Sequence, residues 1–536
     1  MPDVTPTPAP AAASAGARGA APRWVLVVGA GAGGLAVTSA FAPLGWWPGA
    51  VVGVALVAAV VRWAPGARAS VLLVGLAGLV HNATALTWES ALNVESYVGL
   101  ALVEALYFLP LGWGLFAVRG WRGAPVVSAG LWTAMEFVQA RWPFGGFAWT
   151  RLGYGVLESP LAGFYPFVGA GATTFVVALL GCLLAWVPGR RPRRAALVAA
   201  VAAVLAFGVG ALGGLYRPDV GASQGRVAVG YVQGGAPGGG IYGLGTPRTM
   251  TYNLARELGE FARRVEAGQV PRPAFVVGPE NSTDMDPTLD DETGRVVAQA
   301  VQRVGVPVVV GSPMAGPGPD QRQTSALWWT PRDGITDRYD KRDLVPFGEW
   351  IPFRDALLPL LPILRAAGEQ TVPGPGPNPL NAGDGLGVGM AICFEVAFPQ
   401  TLYDQVDAGA QIVAVQSNNS MFRGTPQLAQ QFDITRVRAA EMRRQILVVT
   451  TTGASGVIAP DGSVAVAVPF DDPASGVAEL DRSAVRTPVM RGGGLAEPAI
   501  AAAASVWLAV GLIAARRRRH GEQWRAHSAA REERHA

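Results

Sequence analysis

The sequence predicts a polytopic α-helical membrane protein of eight spans, with a large α/β domain inserted between its seventh and eighth spans. Half of the 536 residues are hydrophobic and only 15% are charged, whereas roughly a quarter of a typical soluble domain is charged. The mean hydropathy is positive, at +0.28. This composition argues against a soluble globular protein. It also excludes disorder for most of the chain, because disorder requires low hydrophobicity.

The membrane spans are predicted from eight apolar runs, because about 17–25 apolar residues cross a bilayer as a helix. The runs lie at roughly 24–42, 46–61, 70–88, 97–118, 125–140, 161–187, 195–213 and 498–515. Residues 1–22 are rich in Ala and Pro without periodicity and are predicted to form a disordered cytoplasmic tail. The chain therefore divides into that tail, a membrane domain of seven helices (23–213), an α/β domain (214–495), an eighth helix (496–515) and a basic cytoplasmic tail (516–536).

The loops between the runs carry arginine in an alternating pattern. Arginines follow the second, fourth, sixth and eighth runs, and the loops after the first and third runs contain neither Lys nor Arg. Because Lys and Arg are enriched in cytoplasmic loops, both termini are predicted to be cytoplasmic and the α/β domain to lie on the outer face of the cell membrane. Arg141 and Arg151 follow the fifth run, on the outer side, and need a local reason.

The stretch 214–495 mixes short β-type runs with amphipathic segments, which indicates an α/β fold. The predicted strands are Arg226–Val232, Ala274–Val277, Val306–Gly311, Gly387–Ile392, Ile412–Val415 and Ile446–Thr450. The predicted helices are Met250–Ala267, Asp291–Val304, Gln400–Gly409 and Leu428–Arg444. In α/β folds, reactive side chains gather at the carboxyl ends of the strands.

Histidine and cysteine are scarce, and their positions exclude several kinds of site. The two cysteines, Cys182 and Cys393, lie far apart and do not indicate a disulfide framework. All four histidines lie outside 215–495, so that stretch holds no Ser-His-Asp site, no Cys-His site and no His/Cys zinc site. A covalent mechanism in this domain must therefore activate its nucleophile with other groups.

Three segments of the α/β domain carry candidate catalytic groups. Glu280 follows one buried-strand pattern, Cys393 follows another, and Lys341 lies in a polar loop between them. Each has an ordinary interpretation by itself, as a carboxylate cap, a small core residue and a solvated loop. Together, in a domain without histidine, they match a thiol nucleophile, a carboxylate base and a cation that lowers the thiol pKa and binds an oxyanion.

Lys341 is also the single lysine among 43 basic residues. In a chain that otherwise uses arginine, a lysine is expected where a planar guanidinium cannot replace a compact ammonium. The alternative is chance survival of one lysine.

Longer motifs around these residues resemble the nitrilase, or carbon–nitrogen hydrolase, superfamily, whose catalytic triad is Glu-Lys-Cys. From about residue 24 to 515 the chain resembles the apolipoprotein N-acyltransferase family, the membrane-embedded branch of that superfamily. The motifs are Tyr339-Asp-Lys341, Leu344-Val-Pro-Phe-Gly-Glu349, Ile392-Cys393-Phe-Glu395, Arg436-Val-Arg438-Ala-Ala-Glu441, Thr452-Gly-Ala-Ser-Gly456, Leu131-Trp-Thr-Ala-Met-Glu136 and Gly146-Phe-Ala-Trp149. The resemblance implies an αββα sandwich for the α/β domain.

The resemblance implies ping-pong acyl transfer as the last step of lipoprotein maturation. A membrane phospholipid would acylate Cys393, with Glu280 as the base and with Lys341 and the backbone N–H of Phe394 as the oxyanion donors. The thioester would then acylate the α-amino group of a diacylglyceryl-cysteine apolipoprotein. The positions that would orient Lys341 and the site are Glu349 and Glu395.

Four further residues would contact substrate by the same resemblance: Glu136, Arg141, Trp149 and Asn418. The fifth-span motif would place Arg141 and Arg151 near lipid headgroups. The family implies a monomer that needs no metal, cofactor or nucleic acid. Some relatives are fused to a polyprenol-phosphate mannosyltransferase, and a separate partner of that kind stays open for this chain.

The chain departs from the family pattern at three positions around the site. Gly278 stands where Trp is usual, Phe394 stands where Tyr is common, and the stretch Ser417-Asn-Asn-Ser-Met-Phe-Arg-Gly424 differs from the family's form. These departures leave the triad intact, but preferences for acyl chain and headgroup do not transfer.

Two other functions stay open at this point. A membrane-tethered amidase or nitrilase could use the same triad on a small C–N substrate, although the eight spans and the fifth-span motif argue against it. A transporter with an accessory domain would often show internal repeats, and the sequence shows none.

Overall fold

The computed structural model describes residues 21–187, 192–218, 224–240, 243–468, 472–492 and 494–532. The predicted tail 1–22 lies outside this part except for its last two residues, and so do Arg190, Arg191 and the end of the basic tail.

Apolar helices cover the eight predicted runs. The first seven runs form α1 (Arg23–Thr38), α2 (Pro48–Trp63), α3 (Ala67–Ala85), α4 (Val94–Leu106), α5 (Phe108–Val118), α6 (Ala124–Gln139), α7 (Tyr165–Trp186) and α8 (Pro192–Gly214). The fourth run forms two helices, with the break at Tyr107, because Pro110 has no backbone N–H to donate to the carbonyl of Leu106. The eighth run opens a helix that continues to Glu532, so the basic tail is helical as far as it is described.

Within the part of the chain that the structure describes, four stretches of helix are long and apolar enough to cross a membrane. They are Val94–Val118, Pro160–Trp186, Pro192–Gly214 and Ala496–Arg517. Small residues bring the helices close together: a Cβ atom on Gly34 would lie 2.3 Å from the carbonyl oxygen of Ala77. The backbones of α1 and α3 are therefore in contact at this point, as in other membrane bundles.

The rest of the chain forms the α/β domain and the last helix. In chain order the elements are β1 (Arg226–Gln233), α9 (Thr249–Glu266), β2 (Phe275–Val277), α10 (Asp291–Val304), β3 (Val308–Ala315), β4 (Gln321–Thr330), β5 (Gly334–Asp340), α11 (Arg354–Leu357), β6 (Gln370–Thr371), β7 (Leu380–Asn381), β8 (Gly387–Ile392), α12 (Pro399–Asp407), β9 (Ala410–Ser417), α13 (Gln427–Met442), β10 (Ile446–Thr450), β11 (Gly456–Ile458), β12 (Val464–Ala467), β13 (Ala474–Asp481), α14 (Pro488–Arg491) and α15 (Ala496–Glu532).

The strands form two sheets that pack face to face. One has the order β13-β1-β2-β3-β4-β5, with β6 beside β4, and the other has the order β12-β11-β10-β9-β8-β7. In both, the central strands are parallel (β1-β2-β3 and β8-β9-β10) and the outer pairs are antiparallel, except that β6 runs parallel to β4. The predicted α/β fold is confirmed.

Helices cover the outer face of each sheet, which gives four layers in the order αββα. Between the sheets lies a core that includes Val277, Trp328 and Met390. α9 and α10 cover the first sheet through a second core. α12 and α13 cover the second sheet, and their apolar side chains belong to one continuous core with the membrane helices. The α/β domain therefore packs on the bundle through α12 and α13.

Sequence analysis located some elements of the α/β domain and missed several of its strands. Residues 387–392, 446–450 and 291–304 match their predicted elements, because each has a strong apolar pattern. β5 was missed because polar residues dominate it, and β13 because its pairing partner β1 is far away in the sequence. Lys341 is the first residue of the loop after β5, as predicted, so it lies close to a strand end, like Glu280 and Cys393.

Candidate active site

Cys393 lies in a sharp turn at the end of β8. Ile392 is the last residue of the strand, and the 3-10 turn Cys393–Ala397 begins at the cysteine. The φ angle of Cys393 is 53°, a left-handed conformation that residues other than glycine rarely adopt. Backbone strain of this kind persists where the surroundings over-determine it, and it clusters at active sites.

Glu395 joins this turn to the segment that carries Lys341. Its buried carboxylate accepts hydrogen bonds from the backbone N–H of Ile392 at 2.7 Å, the backbone N–H of Arg342 at 2.6 Å and the hydroxyl of Tyr339 at 2.8 Å. The pKa of Glu395 is raised to about 7, because the effect of burial exceeds that of these hydrogen bonds, which lower the pKa. The end of β8 and the end of β5 are therefore held together by one carboxylate.

Glu280 follows β2 and is buried near Cys393. The backbone N–H of Asn418 donates to its Oε2 at 2.7 Å, and the neighbouring Cys393 thiol lowers the pKa of the carboxylate. The next residue, Asn281, also has a left-handed backbone, with φ of 52°. The chain thus turns at Asn281, and Glu280 lies close to the carboxyl end of β2.

Lys341 lies between two carboxylates and is only 1% exposed. Its Nζ is 2.7 Å from Oε1 of Glu349 and 3.7 Å from Oε1 of Glu280. The other oxygen of Glu349 accepts a hydrogen bond from the backbone N–H of Val345 at 2.8 Å. Glu349 therefore holds the ammonium group with one carboxylate oxygen and the backbone at Val345 with the other.

Burial and neighbouring charges set the resting protonation of the site. Burial, reinforced by the Glu280 carboxylate, raises the pKa of the Cys393 thiol to about 12. Burial also raises the pKa of Glu280, while Lys341 lowers it. Although burial lowers the pKa of Lys341, Glu349 and Glu280 raise it above its ordinary value. The resting site combines a neutral thiol, a carboxylate of increased basicity and an ammonium group, which suits acyl chemistry through a thioester.

Phe394 follows the nucleophile and packs on the membrane domain. Its ring stacks on Phe147 at 5.9 Å and on Trp149 at 6.1 Å between centroids, and meets Phe398 edge-to-face. Phe147 and Trp149 belong to the segment after α6. The turn that carries Cys393 is therefore in direct contact with the membrane bundle. Within the described residues, no group of three or more His, Cys, Asp or Glu side chains could hold a metal ion.

Both halves of the chain match described families. Residues 33–183 match the apolipoprotein N-acyltransferase N-terminal domain, and residues 272–488 match the carbon-nitrogen hydrolase family. An apolipoprotein N-acyltransferase of Mycolicibacterium smegmatis is 32% identical over 451 residues, which cover 80% of this chain and 75% of that protein. The chain belongs to the apolipoprotein N-acyltransferase family. It is an acyltransferase, as its motifs predicted.

Other similar proteins extend over most or half of the chain. An apolipoprotein N-acyltransferase of Ralstonia nicotianae is 29% identical over 530 residues, 91% of this chain and 93% of that protein. Among solved structures, a mutant of the Nesterenkonia AN1 amidase from the nitrilase superfamily is 17% identical and covers 52% of this chain and 96% of that chain, with a TM-score of 0.37.

In this family member, Gln430 of α13 binds the bundle to the catalytic domain. Its buried Oε1 accepts hydrogen bonds from the indole N–H groups of Trp88 at 2.9 Å and Trp149 at 2.8 Å. Its Nε2 donates to the carbonyls of Ala42 and Ala85, both at 3.1 Å. All four hydrogen-bonding positions of one carboxamide are thus used. Sequence analysis missed Gln430, and its only signal was a polar residue within an amphipathic helix.

The family motif around Arg438 is a second buried contact between the two parts. Arg438 pairs with Glu441 at 2.5 Å and donates to the hydroxyl of Tyr154 at 3.1 Å. Glu441 also accepts the backbone N–H of Ala170 at 2.7 Å. That N–H is available because Gly169, at φ 77°, interrupts α7. The motif therefore holds the catalytic domain on α7 rather than forming part of the site at Cys393.

The four residues with predicted substrate contacts lie in different places. Trp149 and Asn418 are near the site, but their polar side-chain groups bind other protein groups: Trp149 donates to Gln430, and Asn418 accepts from Thr451 at 2.8 Å and donates to Asn281 at 2.9 Å. What Asn418 contributes to Glu280 is its backbone N–H.

Glu136, which lies on α6, and Arg141 belong to one cluster of charged side chains with Arg151 and Glu497. Glu136 accepts from the backbone N–H of Leu152 at 2.9 Å and from Thr174 at 2.7 Å, and is 3.6 Å from Arg151. Arg151 pairs with Glu497, which is also 3.1 Å from Arg141. Arg151 is buried, so its predicted place near lipid headgroups is wrong: two carboxylates compensate its charge inside the protein. The Arg141 side chain is 44% exposed.

Glu497→Gln is expected to lower the free energy of unfolding by about 3 kcal/mol, because it leaves the buried Arg151 with a single carboxylate. Thermal unfolding in detergent, followed by tryptophan fluorescence, measures this as a drop in Tm. Glu158→Gln is the control, since its side chain is 60% exposed and an exposed ion pair contributes little. Equal Tm values for the two variants would contradict this role of Glu497.

Proposed function

We propose that this chain transfers an acyl group from a membrane phospholipid, through a thioester on Cys393, to the α-amino group of a diacylglyceryl-cysteine apolipoprotein. The observation that carries the proposal is the buried cluster of Glu280, Lys341 and Cys393, whose turn packs on a membrane bundle. The relatives named apolipoprotein N-acyltransferase support the same reaction.

In the first half-reaction, Glu280 takes the thiol proton as Cys393 Sγ attacks the ester carbonyl of the phospholipid. The oxyanion of the tetrahedral intermediate is stabilised by Lys341 and the backbone N–H of Phe394. As the C–O bond breaks, Glu280 returns the proton to the leaving alkoxide, and lysophospholipid departs. Glu349 positions the ammonium group, and Glu395 positions the turn.

In the second half-reaction, the neutral α-amino group of the apolipoprotein attacks the thioester carbonyl. An N–C bond forms, the C–S bond breaks, and Glu280 moves the amine proton to the departing sulfur. The products are an amide on the apolipoprotein and a free thiol at Cys393. The same base and oxyanion donors therefore serve both halves, and no cofactor is required.

The substrates explain why a catalytic domain of this kind is joined to a bundle. We place the eight spans at α1, α2, α3, α4 with α5, α6, α7, α8 and the first part of α15, with both termini in the cytoplasm. The alternation of arginine between loops supports this topology, as do the four long apolar helices. The domain 214–495 then lies on the outer face of the plasma membrane.

Exposed apolar side chains beside the site support access from lipid. Phe353 is 73% exposed and Leu360 is 74% exposed, in the segment that follows Glu349. Phe144, from the segment after α6, meets Phe347 and Phe353 edge-to-face at 6.0 and 5.9 Å between centroids. Exposed apolar patches of this kind mark contacts with membranes or partners, and here they lie where acyl chains would enter.

Mass spectrometry of the N-terminal peptide of a lipoprotein tests the function. Deleting the gene is expected to remove one acyl chain and leave a free α-amino group. Wild-type protein restores the triacyl form and Cys393→Ala does not. Cys182→Ala is the matched control, because Cys182 is buried in α7, and it is expected to restore acylation. Unchanged acylation in the deletion strain, or release of ammonia without a lipid product, would refute the proposal.

A further inference from the structure

Two glutamines on one face of α13 lie beside the nucleophile and take no part in the mechanism described so far. Gln427 and Gln431 are one helical turn apart, and both are buried. Oε1 of Gln431 is 4.0 Å from Sγ of Cys393, within the range of an S–H···O hydrogen bond. Nε2 of Gln427 donates to the same Oε1 at 2.8 Å.

Neighbouring hydrogen bonds determine the orientation of both carboxamides. The hydroxyl of Ser417 donates to Asn419 at 2.8 Å, so it accepts from Nε2 of Gln431 at 2.7 Å. The oxygen of Gln431 must therefore face the sulfur. Because Gln427 uses its nitrogen toward Gln431, its own oxygen faces the other way.

The oxygen of Gln427 is buried, and among the residues that the structure describes no group donates a hydrogen bond to it. A buried carbonyl without a donor is unfavourable and uncommon in native proteins. Gln427 therefore leaves its own oxygen unsatisfied while its Nε2 group fixes the oxygen of Gln431 beside the sulfur.

Acylation of Cys393 removes one donor from Gln431. A thioester sulfur carries no proton, so Oε1 of Gln431 loses the thiol as a donor when the acyl-enzyme forms. The Gln431 oxygen then faces a sulfur without a proton and keeps only Gln427 as a donor. The ester group of a phospholipid has no N–H or O–H to offer it, whereas an amine has hydrogen atoms in addition to its nucleophilic lone pair.

We propose that Gln431, held in place by Gln427, forms the subsite that binds the attacking α-amino group of the acceptor. The Gln431 oxygen accepts an N–H hydrogen bond from the neutral amine and directs its lone pair to the thioester carbonyl. The amine proton that is lost goes to Glu280 and then to sulfur, as described above, so the glutamines orient the nucleophile without exchanging protons. This inference rests on the proposed acyl transfer and assigns residues to its second half only.

Measuring the two half-reactions separately tests the subsite. Purified protein is incubated with a fluorescent phospholipid, and the acyl-enzyme is quantified by intact-protein mass spectrometry. A synthetic diacylglyceryl-cysteine peptide is then added, and loss of the acyl-enzyme is timed. Gln431→Met and Gln427→Met keep the side-chain volume but remove the carboxamide. Both variants are expected to acylate within about threefold of the wild-type rate and to lose the acyl group to the peptide at least about tenfold more slowly.

Cleavage by dithiothreitol supplies a readout that a structural defect would not spare. A thiol nucleophile has no N–H group, so the variants are expected to release the acyl group to dithiothreitol at the wild-type rate. Gln405→Met is the matched control: Gln405 is a buried glutamine of α12 whose carboxamide also has no partner among the described residues. It is expected to leave both half-reactions unchanged.

The possible outcomes separate this inference from the proposed function. Equal slowing of both half-reactions, or transfer to the peptide at the wild-type rate, would overturn the amine subsite. Failure of the wild-type protein to form an acyl-enzyme from phospholipid would instead refute the acyl-transfer mechanism itself.

Discussion

Lys341→Arg is expected to lower the rate of acyl transfer by about a hundredfold or more, even though the positive charge is kept. The ammonium group is 1% exposed and lies 2.7 Å from Glu349 and 3.7 Å from Glu280. A guanidinium is larger and planar, and it donates in a fixed fork. It would displace one of the carboxylates or fail to reach the oxyanion. The rate of acyl-enzyme formation from fluorescent phospholipid measures the effect.

The neighbouring position provides a matched control for this substitution. Arg342 pairs with Asp404 at 2.9 Å and its side chain is 24% exposed, while its contribution to Glu395 comes from the backbone. Arg342→Lys is therefore expected to keep acylation within about threefold of wild type, since partly exposed pairs contribute little. A Lys341→Arg variant with near-normal turnover would mean that the single lysine of this chain survived by chance.

Glu280→Gln is expected to lower acylation by about a thousandfold at pH 7, the range of general-base catalysis. Burial is the main reason that the pKa of the Cys393 thiol is raised, and the variant keeps this burial although it loses the Glu280 charge, so few molecules carry a thiolate at pH 7 without a base. Below the thiol pKa, each unit of pH raises the thiolate fraction tenfold. The rate of the variant is therefore expected to rise with pH with a slope near one, while the wild-type rate does not.

Acylation rates between pH 6 and 9 measure this difference. Glu257→Gln is the control. Glu257 lies on α9, where it accepts a hydrogen bond from Ser475 away from Cys393, and the pH profile of this variant should match wild type. A flat profile for Glu280→Gln at a near-normal rate would show that another group removes the thiol proton.

The contacts between the two parts of the chain bear on both predictions. Trp149 stacks on Phe394, next to the nucleophile, and also binds Gln430 on α13, the helix that carries Gln431. One membrane-domain side chain thus touches both the turn that presents the thiol and the helix behind it. The nitrilase-like domain therefore shares a packed interface with the bundle.

The fold was predictable wherever one segment carried its own signal. Apolar runs identified the helices of the bundle, and strong apolar patterns located β8, β10 and α10. β5 and β13 had no such signal, because their places in the sheet come from pairing with distant strands. That is why the sequence placed Lys341 in a loop but did not show that this loop begins at the end of a strand.

By itself, the sequence determined the family, the division into membrane and α/β parts, and three residues as candidates for one site, because each depends on residue types, spacing and local periodicity. Only the tertiary structure decided that Arg151 is neutralised inside the protein and that Arg438 and Gln430 join the domain to the bundle. It also showed that the buried oxygen of Gln427 has no donor among the described residues. The physical reason is that burial and hydrogen-bond satisfaction are properties of neighbours in space. Residues hundreds of positions apart set them, as Trp88 and Gln430 do here.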